Sequence, residues 1–390
     1  MKRFALFALN AVPMMALVSA VWAQQQIRIG VSVSATGPAA SLGIPEKNTV
    51  EVLDKNFNGI PVEYFVYDDT GDTATAVRNM RKLISENKID AMIGSSITAP
   101  TLAMIDVAAE TKTPLVSMVG NNVVVVPVEG PKKWSFKTSP NDASMATALL
   151  SAMKKQGVKT LGVIGFADAY GQGWLEQIKI VLKDSEIKIV AEESYARNDT
   201  SVTGQVLKIV GKKPDAVLVA TAGTPGALPT RELKSRGFKG QIYHTHGSAN
   251  IDFLRVCGKA CDGVILPAGP VLVGDQLEDS HPSKKISQEY KTLYENKFGQ
   301  GSMSTFGAHM FDADLVIKTS MKKVLDSGLK PGTEEFRVAL RDAMETSKEV
   351  IGTQGVYNMT KDDHTGLDER SRVLVEIENN NWVYKPELLK

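Results

Sequence analysis

Short apolar runs alternate with segments of helical length along most of this chain, and no other feature constrains its fold as strongly. From residue 27, runs rich in β-branched residues have the length of buried strands: IRIGVSVS, VEYFVYDD, DAMIGS and PLVSMVG. Between the second and third runs, Val77, Met80 and Ile84 share one helical face, and Asp72 or Thr73 stands at the N-cap. Strand, helix and strand in this order predict right-handed βαβ units and a parallel sheet.

The alternation begins again after FKTSPND, so two lobes are expected. The second series of strand-like runs is TLGVIGFA, KIVAEESYA, DAVLVAT, QIYHTHG and GVILPAG; a largely helical stretch and a final pair of strand patterns follow. A chain of 390 residues also exceeds what one core usually serves. We predict an α/β fold of two Rossmann-like lobes with parallel-rich sheets and a cleft between them. The first lobe would hold residues 24–139 and 269–352, and the second residues 140–268 and 353–390.

The N-terminus has the three parts of a secretory signal peptide, predicted over residues 1–23. Two basic residues precede an apolar run over residues 4–18, and a small-residue exit ends at Ala23. We expect cleavage after about Ala23 and export of the mature chain. An uncleaved membrane anchor is the alternative, although the apolar run is short for a membrane span.

Export changes the interpretation of the two cysteines, Cys257 and Cys261. In an oxidising compartment a nearby pair is expected to form a disulfide. Closing so small a loop is worth roughly 2 kcal/mol in the chain-entropy estimate. A metal site shared with His244 and His246 is the alternative, but the spacing matches no standard site.

Catalytic signatures are missing: the sequence has no GxxxxGK[ST], HExxH or GxSxG motif and no GxGxxG after the first strand. Asp68 and Asp69 close a strand, where such residues more often hold the next turn than form a catalytic pair. The stretch DDHTGLDER, residues 362–370, has metal-ligand chemistry but is interpreted as a solvated turn. A net charge of +1 gives no support for a nucleic-acid partner. No enzyme activity, metal or cofactor is expected.

Small polar residues concentrate in the loops that follow the strands: SATGPAASLG, IGSSITAPT, VSMVGNN, GFADAYGQG and YHTHGSAN. In an open parallel sheet, ligands bind outside the carboxyl ends of the strands, where helix N-termini present amide donors. Thr98 is expected to be an N-cap and Pro100 to lie in the first turn, so the free amides there would bind a carboxylate. Such loops are better suited to holding a ligand than to transforming one.

The same loops carry a resemblance to a known family. The segments IRIGVSVSATGPAASLG, YDDTGDTATAVRNM through KTPLVSM, and GVIGFADAYGQG resemble the exported leucine/isoleucine/valine-binding proteins, over about residues 27–375. These are substrate-binding components of ABC importers with the type I periplasmic binding fold. The resemblance implies two lobes with three hinge crossings and a ligand trapped by closure. It also implies a periplasmic location and an inner-membrane permease as partner; we expect a monomer.

The resemblance assigns ligand contacts to five positions in the two lobes. The carboxylate clamp of the first lobe falls on Ile97 and Thr98. A second loop contributes the backbone of Val119 and the side chain of Asn121. The second-lobe tyrosine of the family matches Tyr170 in residue type.

Four further positions set the pocket wall. Phe306 would line its apolar end. Leu42 replaces an aromatic residue of the family, and Ala222 or Gly223 stands where a second-lobe tyrosine is expected. The small residues would enlarge the pocket.

The most informative departure is His246, in the loop THGSAN. The amino-acid binders have xEGxAN there, and their glutamate pairs with the α-ammonium of the ligand. An imidazole cannot replace a carboxylate as the partner of a buried ammonium, so we infer a ligand without an α-amino group. His246 would donate to a carboxylate, hydroxyl or keto oxygen. A rim position for His246, with Tyr170 and Phe306 as core residues, is the alternative.

The leading hypothesis is therefore a periplasmic receptor that captures a small organic carboxylate and delivers it to a permease. Flat apolar walls favour an aromatic acid of the benzoate or hydroxybenzoate type. Branched keto acids, amino acids and short amides stay open as ligands, and so does ligand sensing for a membrane receptor. An exported enzyme using Asp68, Asp69 or His246 is a third hypothesis, and it predicts turnover of the bound acid.

Overall fold

The structure is a computed structural model, and it describes residues 25–389. The predicted signal peptide lies outside the described residues, so its cleavage stays a prediction. Within the described range, no helix combines the length and the apolar character needed to span a membrane.

The first sheet has six strands in the order β2-β3-β1-β4-β5-β6. They are β1 Ile27–Val33, β2 Asn56–Phe57, β3 Ile60–Asp68, β4 Ala91–Gly94, β5 Leu115–Ser117 and β6 Ser135–Lys137. All neighbours are parallel except β2, which forms an antiparallel edge with β3. The parallel sheet predicted from the sequence is confirmed. The pattern did not predict β6, because its three residues are too short to show a period.

The second sheet has seven strands in the order β15-β14-β11-β10-β9-β7-β8. The remaining strands are β7 Thr160–Phe166, β8 Lys188–Tyr195, β9 Ala216–Ala220, β10 Gln241–His244, β11 Ile265–Ala268, β12 Val350–Ile351, β13 Val356–Tyr357, β14 Val373–Glu378 and β15 Asn381–Tyr384. Strands β7 to β11 run parallel, and β14 and β15 add an antiparallel edge. Strands β12 and β13 pair with each other in a separate small sheet.

The helices connect the strands in the predicted alternation. They are α1 Ala40–Val50, α2 Thr73–Ser85, α3 Thr98–Glu110, α4 Asp142–Lys155, α5 Ala169–Leu182, α6 Thr203–Gly211, α7 Ala227–Ser235, α8 Ile251–Cys257, α9 Lys284–Phe298, α10 Thr305–Asp326 and α11 Glu334–Met344. Helix α2 begins where the sequence predicts, because the Asp72 side chain accepts a hydrogen bond from the Thr75 amide at 2.7 Å. Its buried stripe is Ala76, Met80 and Leu83.

Helices bury both faces of the first sheet, and successive strand residues point to opposite faces. Met92 of β4 packs with α2 and α3, whereas its neighbour Ile93 packs with α10 and α11. The second sheet shares one continuous core with the helices around it, in which Trp174 is the largest fully buried side chain. Helices on both faces are what a parallel sheet requires.

The chain passes between the two cores three times. The first crossing joins β6 to α4, the second joins β11 to α10, and the third follows β13. Tyr357 and Met359 pack in the first core, and Val373 packs in the second. We therefore propose that the first lobe extends to about residue 367, past the boundary at 352 expected from the sequence.

The stretch 362–370 forms a turn, as predicted, but it is only partly solvated. The Asp363 carboxylate accepts hydrogen bonds from the amides of Thr365 and Gly366. The expectation of a solvated turn is wrong for His364, which is fully buried. Its ring stacks on Phe136 at 4.1 Å, and its Nδ1 donates to the Ser135 carbonyl.

The predicted disulfide is present between Cys257 and Cys261, with Cα atoms 5.7 Å apart, at the end of α8. His244 takes no part in a cysteine cluster. It is the last residue of β10, and its ring binds the hydroxyls of Thr230 and Ser248.

Replacing both cysteines, Cys257→Ser with Cys261→Ser, is expected to lower the free energy of unfolding by about 2 kcal/mol, because the open loop gains conformational entropy in the unfolded chain. Urea unfolding followed by circular dichroism measures the change. A reductant should destabilise the native chain equally and leave the double variant unaffected. Equal stability of the two oxidised proteins would contradict the expectation.

Candidate functional site

Loops from both lobes enclose one pocket. Eight of the ten ligand contacts predicted from the sequence line it. Elements of the first lobe contribute Leu42, Ile97, Thr98, Val119 and Phe306. The second lobe contributes Tyr170, Ala222 and His246. The polar loops meet because the carboxyl ends of the parallel strands of both sheets face the cleft.

Asn121 and Gly223, the other two predicted contacts, lie outside the pocket lining and at the contact between the lobes. Asn121 accepts a hydrogen bond from the Val123 amide and donates one to the carbonyl of Ala169 in the opposite lobe, at 2.8 Å. Gly223 has a φ of +69°, in the region that favours glycine, and packs against Leu42. Both positions therefore hold the two lobes together.

Thr98 lines the pocket in a different role from the one expected. Ile97 occupies the N-cap position of α3 with extended backbone angles, and Thr98 is the first helical residue. The N-cap prediction is wrong, because a capping residue keeps non-helical backbone angles. The Thr98 hydroxyl is buried without a protein partner among the described residues. It is therefore available to a ligand oxygen.

Two imidazoles from opposite lobes line the pocket, and sequence reasoning found only one of them. His246 follows β10, while His309 lies on α10, three residues after Phe306 and so on the same helical face. That spacing was the signal available in the sequence. The Nδ1 atoms of both rings, and the hydroxyl of Ser139, are buried without a partner in the described part of the chain.

Arg197 is the second pocket-lining residue that sequence reasoning missed. It follows β8 by two residues, at the carboxyl edge where ligand contacts are expected. Its guanidinium lies over the Phe166 ring at 4.1 Å, and Nε donates to Asp168 at 2.6 Å. The Nη1 atom is buried, and no partner for it lies among the described residues. One nitrogen of this fixed guanidinium is therefore unpaired within the described residues, in a side chain that lines the pocket.

The pocket is electrostatically suited to an anion. Burial lowers the pKa of both His246 and His309 to about 3, and the nearby Lys137 charge adds to the effect, so both rings are neutral at pH 7. Arg197 is the one charged side chain among the described lining residues. Behind the wall, Glu46 binds the Ser96 hydroxyl, and burial raises the pKa of this carboxyl. A ligand ammonium would find no carboxylate among the described residues of this wall.

Asp68 and Asp69 accept hydrogen bonds from backbone amides of the following turn, as predicted in preference to a catalytic pair. Asp68 accepts from the amides of Ala35 and Thr70. Asp69 accepts from the Gly71 amide and from serine hydroxyls at the ends of neighbouring strands. Neither carboxylate lines the pocket.

Comparisons with known proteins agree with this fold. A family model described as periplasmic binding protein matches residues 26–380. An extracellular ligand-binding receptor from Rhodopseudomonas palustris HaA2 is 42% identical, with a TM-score of 0.90 over 93% of this chain and 100% of that chain. The Leu/Ile/Val-binding protein BraC3 of Rhizobium johnstonii is 23% identical over 66% of this chain and 71% of its own length.

A more distant structure shares the fold alone. It is an ABC-transporter solute-binding protein from R. palustris in complex with benzoate. It is 19% identical, with a TM-score of 0.76 over 92% of this chain and 95% of that chain.

The closed arrangement of the lobes depends on two glycines. A Cβ on Gly120 would overlap His246 Nε2, and one on Gly173 would overlap the Asn121 amide. Gly120→Ala is expected to hold the lobes apart, because the steric overlap arises only when they close. Small-angle X-ray scattering should then give a larger radius of gyration than for native protein under conditions where the native protein closes.

Gly204→Ala is the matched control. Gly204 lies in α6, and nothing lies within 4 Å of an added Cβ there. This variant should scatter like the native protein. If Gly120→Ala closes as completely as the control, the steric role assigned to Gly120 is wrong.

Proposed function

The chain belongs to the periplasmic binding protein family, of the branched-chain amino acid type, and on that premise we propose that it captures a small aromatic carboxylate without an α-amino group. Benzoate and hydroxybenzoates represent the class. The family consists of substrate-binding components of transport systems. The ligand would be enclosed between the lobes and presented to the permease of an ABC importer.

The observation that carries the proposal is the charge of the pocket wall. The guanidinium of Arg197 reaches the pocket with Nη1 unpaired among the described residues, and the described lining residues include no carboxylate. Asp168 already pairs with this guanidinium through Nε, but the buried Nη1 donor still lacks an acceptor among the described residues, which is costly. A ligand carboxylate would give Nη1 a charge-assisted hydrogen bond. The sequence placed the ligand carboxylate at Thr98. The geometry instead favours Arg197 as its main partner.

Neutral polar groups remain for a second polar substituent or for the carboxylate's other oxygen. They are the hydroxyls of Thr98 and Ser139 and the imidazoles of His246 and His309. Each neutral imidazole carries one donor and one acceptor, so it binds a phenolic hydroxyl as well as a carboxylate oxygen. A hydroxybenzoate would use both kinds of group at once.

Apolar walls support a flat ring. Tyr170 and Phe306 line the pocket from the two lobes, together with Leu42 and Met118. Tyr170 is fixed by a hydrogen bond from its hydroxyl to Thr245 at 3.0 Å. Aromatic side chains favour offset or edge contacts with a ligand ring. The shared fold holds benzoate in the R. palustris protein, so this architecture accommodates an aromatic acid.

Closure would be driven by contacts that form only when the lobes meet. Asn121 reaches the Ala169 carbonyl, Ser41 accepts from the Thr224 amide, and the Thr305 hydroxyl donates to Ala249. A ligand that touches both lobes favours this state, because it binds the closed form better than the open one.

A thermal-melting panel tests the ligand class. Benzoate, 4-hydroxybenzoate, leucine and leucinamide are each added to the native protein. The aromatic acids should raise the melting temperature most, because a ligand bound only to the native state stabilises it, by about 2.7 kcal/mol at one hundred times Kd. A larger shift with leucine would overturn the proposal.

Arg197→Gln is expected to weaken 4-hydroxybenzoate binding by about tenfold to a hundredfold, because the anion loses a charge-assisted hydrogen bond. Titration calorimetry measures the change. Arg236→Gln is the control, since Arg236 pairs with Glu232 on the surface of α7, away from the pocket. Equal affinity of the two variants would show that Arg197 does not contact the acid.

His246→Glu is expected to weaken the same acid by at least about tenfold, because a second anion would face it in the pocket. His281→Glu changes a half-buried histidine outside the pocket lining and serves as the control. Unchanged affinity of the His246 variant, measured by calorimetry, would place this residue outside the ligand site.

A further inference from the structure

Lys137 is a fully buried cation at the first hinge crossing, outside the pocket lining. It is the last residue of β6, and its side chain has no exposed surface. Its Nζ donates to the Gly120 carbonyl at 2.6 Å and to the Asn141 side-chain oxygen at 2.8 Å. Both partners are uncharged. Burying a cation is costly, and here the nearby carboxyls of Asp142 and Asp363 offset only part of that cost.

The two partners of Lys137 belong to the pocket and to the hinge. Gly120 lines the pocket, and its carbonyl also accepts from the Asp142 amide. The Asn141 oxygen accepts in addition from the Thr365 hydroxyl, on the third crossing. The Lys137 ammonium therefore connects Gly120 of the pocket lining, through hydrogen bonds, to the first and third crossings between the lobes.

The charge of Lys137 acts electrostatically on two residues that line the pocket. His246 and His309 line the pocket from opposite lobes. Burial is the largest cause that lowers the pKa of each ring, and the Lys137 charge is the second. A field that opposes a positive charge at those rings favours a negative charge in the space between them. Arg197 supplies direct contact with an anion, whereas Lys137 would act through its field and through Gly120.

We propose that Lys137 is a positioning residue that makes the pocket select an anion over a neutral ligand of the same shape. The inference rests on the proposed function, because it assumes that the ligand is a carboxylate. It goes further in assigning part of the anion selectivity to a residue that does not touch the ligand. The selectivity would then depend on the protonation of the Lys137 ammonium.

The charged and titratable groups around Lys137 set the pH range of the effect. Burial lowers the pKa of Lys137 to about 7, while Asp142 of α4 and Asp363 of the third crossing oppose the change. Burial raises the pKa of Asp142 to about 6, and the Lys137 charge opposes that shift. Both losses of a proton with rising pH make the region less positive. His246 and His309 stay neutral above pH 5.

The test compares a carboxylate with its neutral isostere. The affinities of 4-hydroxybenzoate and 4-hydroxybenzamide are measured by calorimetry at pH 6, where Lys137 is protonated, for native protein and for Lys137→Met. The variant should lose about tenfold of the preference for the acid while its affinity for the amide stays near the native value. Equal weakening of both ligands would mean that Lys137 is only structural, and an unchanged preference would exclude the field effect.

Lys318→Met is the matched control. Lys318 is also a buried lysine, on α10, but it pairs with Asp314 and donates to the Asp54 carbonyl, away from the pocket. Its loss should leave the preference for the acid unchanged. A drop in preference equal to that of Lys137→Met would overturn the proposal, because any buried lysine would then suffice.

The pH profile of the native protein tests the proposal even if Lys137→Met fails to fold. The preference for the acid should fall as the pH rises from 6 to 8, because Lys137 loses its charge near pH 7 while the charges of both ligands stay the same, before their phenols ionise. Glu46 and Asp142, whose pKa values are raised, also lose protons as the pH rises, and this change lowers the preference for the acid as well. The profile of a folded Lys137→Met variant should therefore be flatter than that of the native protein. A flat native profile, or an equally steep profile in the variant, would contradict the role of Lys137.

Leucine and leucinamide separate a failure of this proposal from a failure of the proposed function. If the native protein binds leucine and neither aromatic compound, the proposed ligand class is wrong. The comparison of carboxylate with amide is then made on leucine and leucinamide. A loss of carboxylate preference in Lys137→Met would support the role of Lys137 with that ligand as well, and its absence would overturn it.

Discussion

Helices cover both faces of the two parallel sheets, which leaves the ends of the strands as the places where polar groups gather with access to a ligand. Buried backbone and side-chain polar groups need partners, so few can lie inside such a layered core. At the carboxyl ends, the strands of the two lobes face the same cleft. The ligand pocket, the interlobe hydrogen bonds and the hinge crossings all follow from that arrangement.

The proposed ligand class rests on the charge of the pocket wall as much as on its shape. Arg197 is fixed by Asp168 and by the Phe166 ring, so little conformational entropy is lost when its free Nη1 meets an anion. Burial keeps His246 and His309 neutral, which leaves them able both to donate and to accept. The same neutrality makes the wall unsuitable for an α-ammonium. The histidine of the THGSAN loop, where the family has the glutamate of xEGxAN, thus agrees with the electrostatics of the whole wall.

Particular residues show how far sequence reasoning reached into the site. Thr98, Tyr170 and His246 were assigned through the family resemblance, which matches loops that keep their order along the chain. Arg197 and His309 escaped for different reasons. Arg197 lies in a loop without a motif, and His309 lies inside a helix whose face toward the cleft is decided by packing. Asn121 was placed in the right loop, but its direction depends on how the lobes meet.

The sequence alone determined the α/β alternation, the parallel sheets, the disulfide and the loops that form the cleft, because these follow from local periodicity, residue type and spacing. It also indicated the family through segments that keep their order along the chain. Only the tertiary structure decided which side chains share the pocket, where the third crossing returns to the second core, and that Lys137 lies buried beneath Gly120. Those features depend on contacts between residues far apart in sequence, such as Lys137 with Gly120 or Arg197 with Asp168, and on the burial that sets their charge. No local pattern encodes a distance across a cleft.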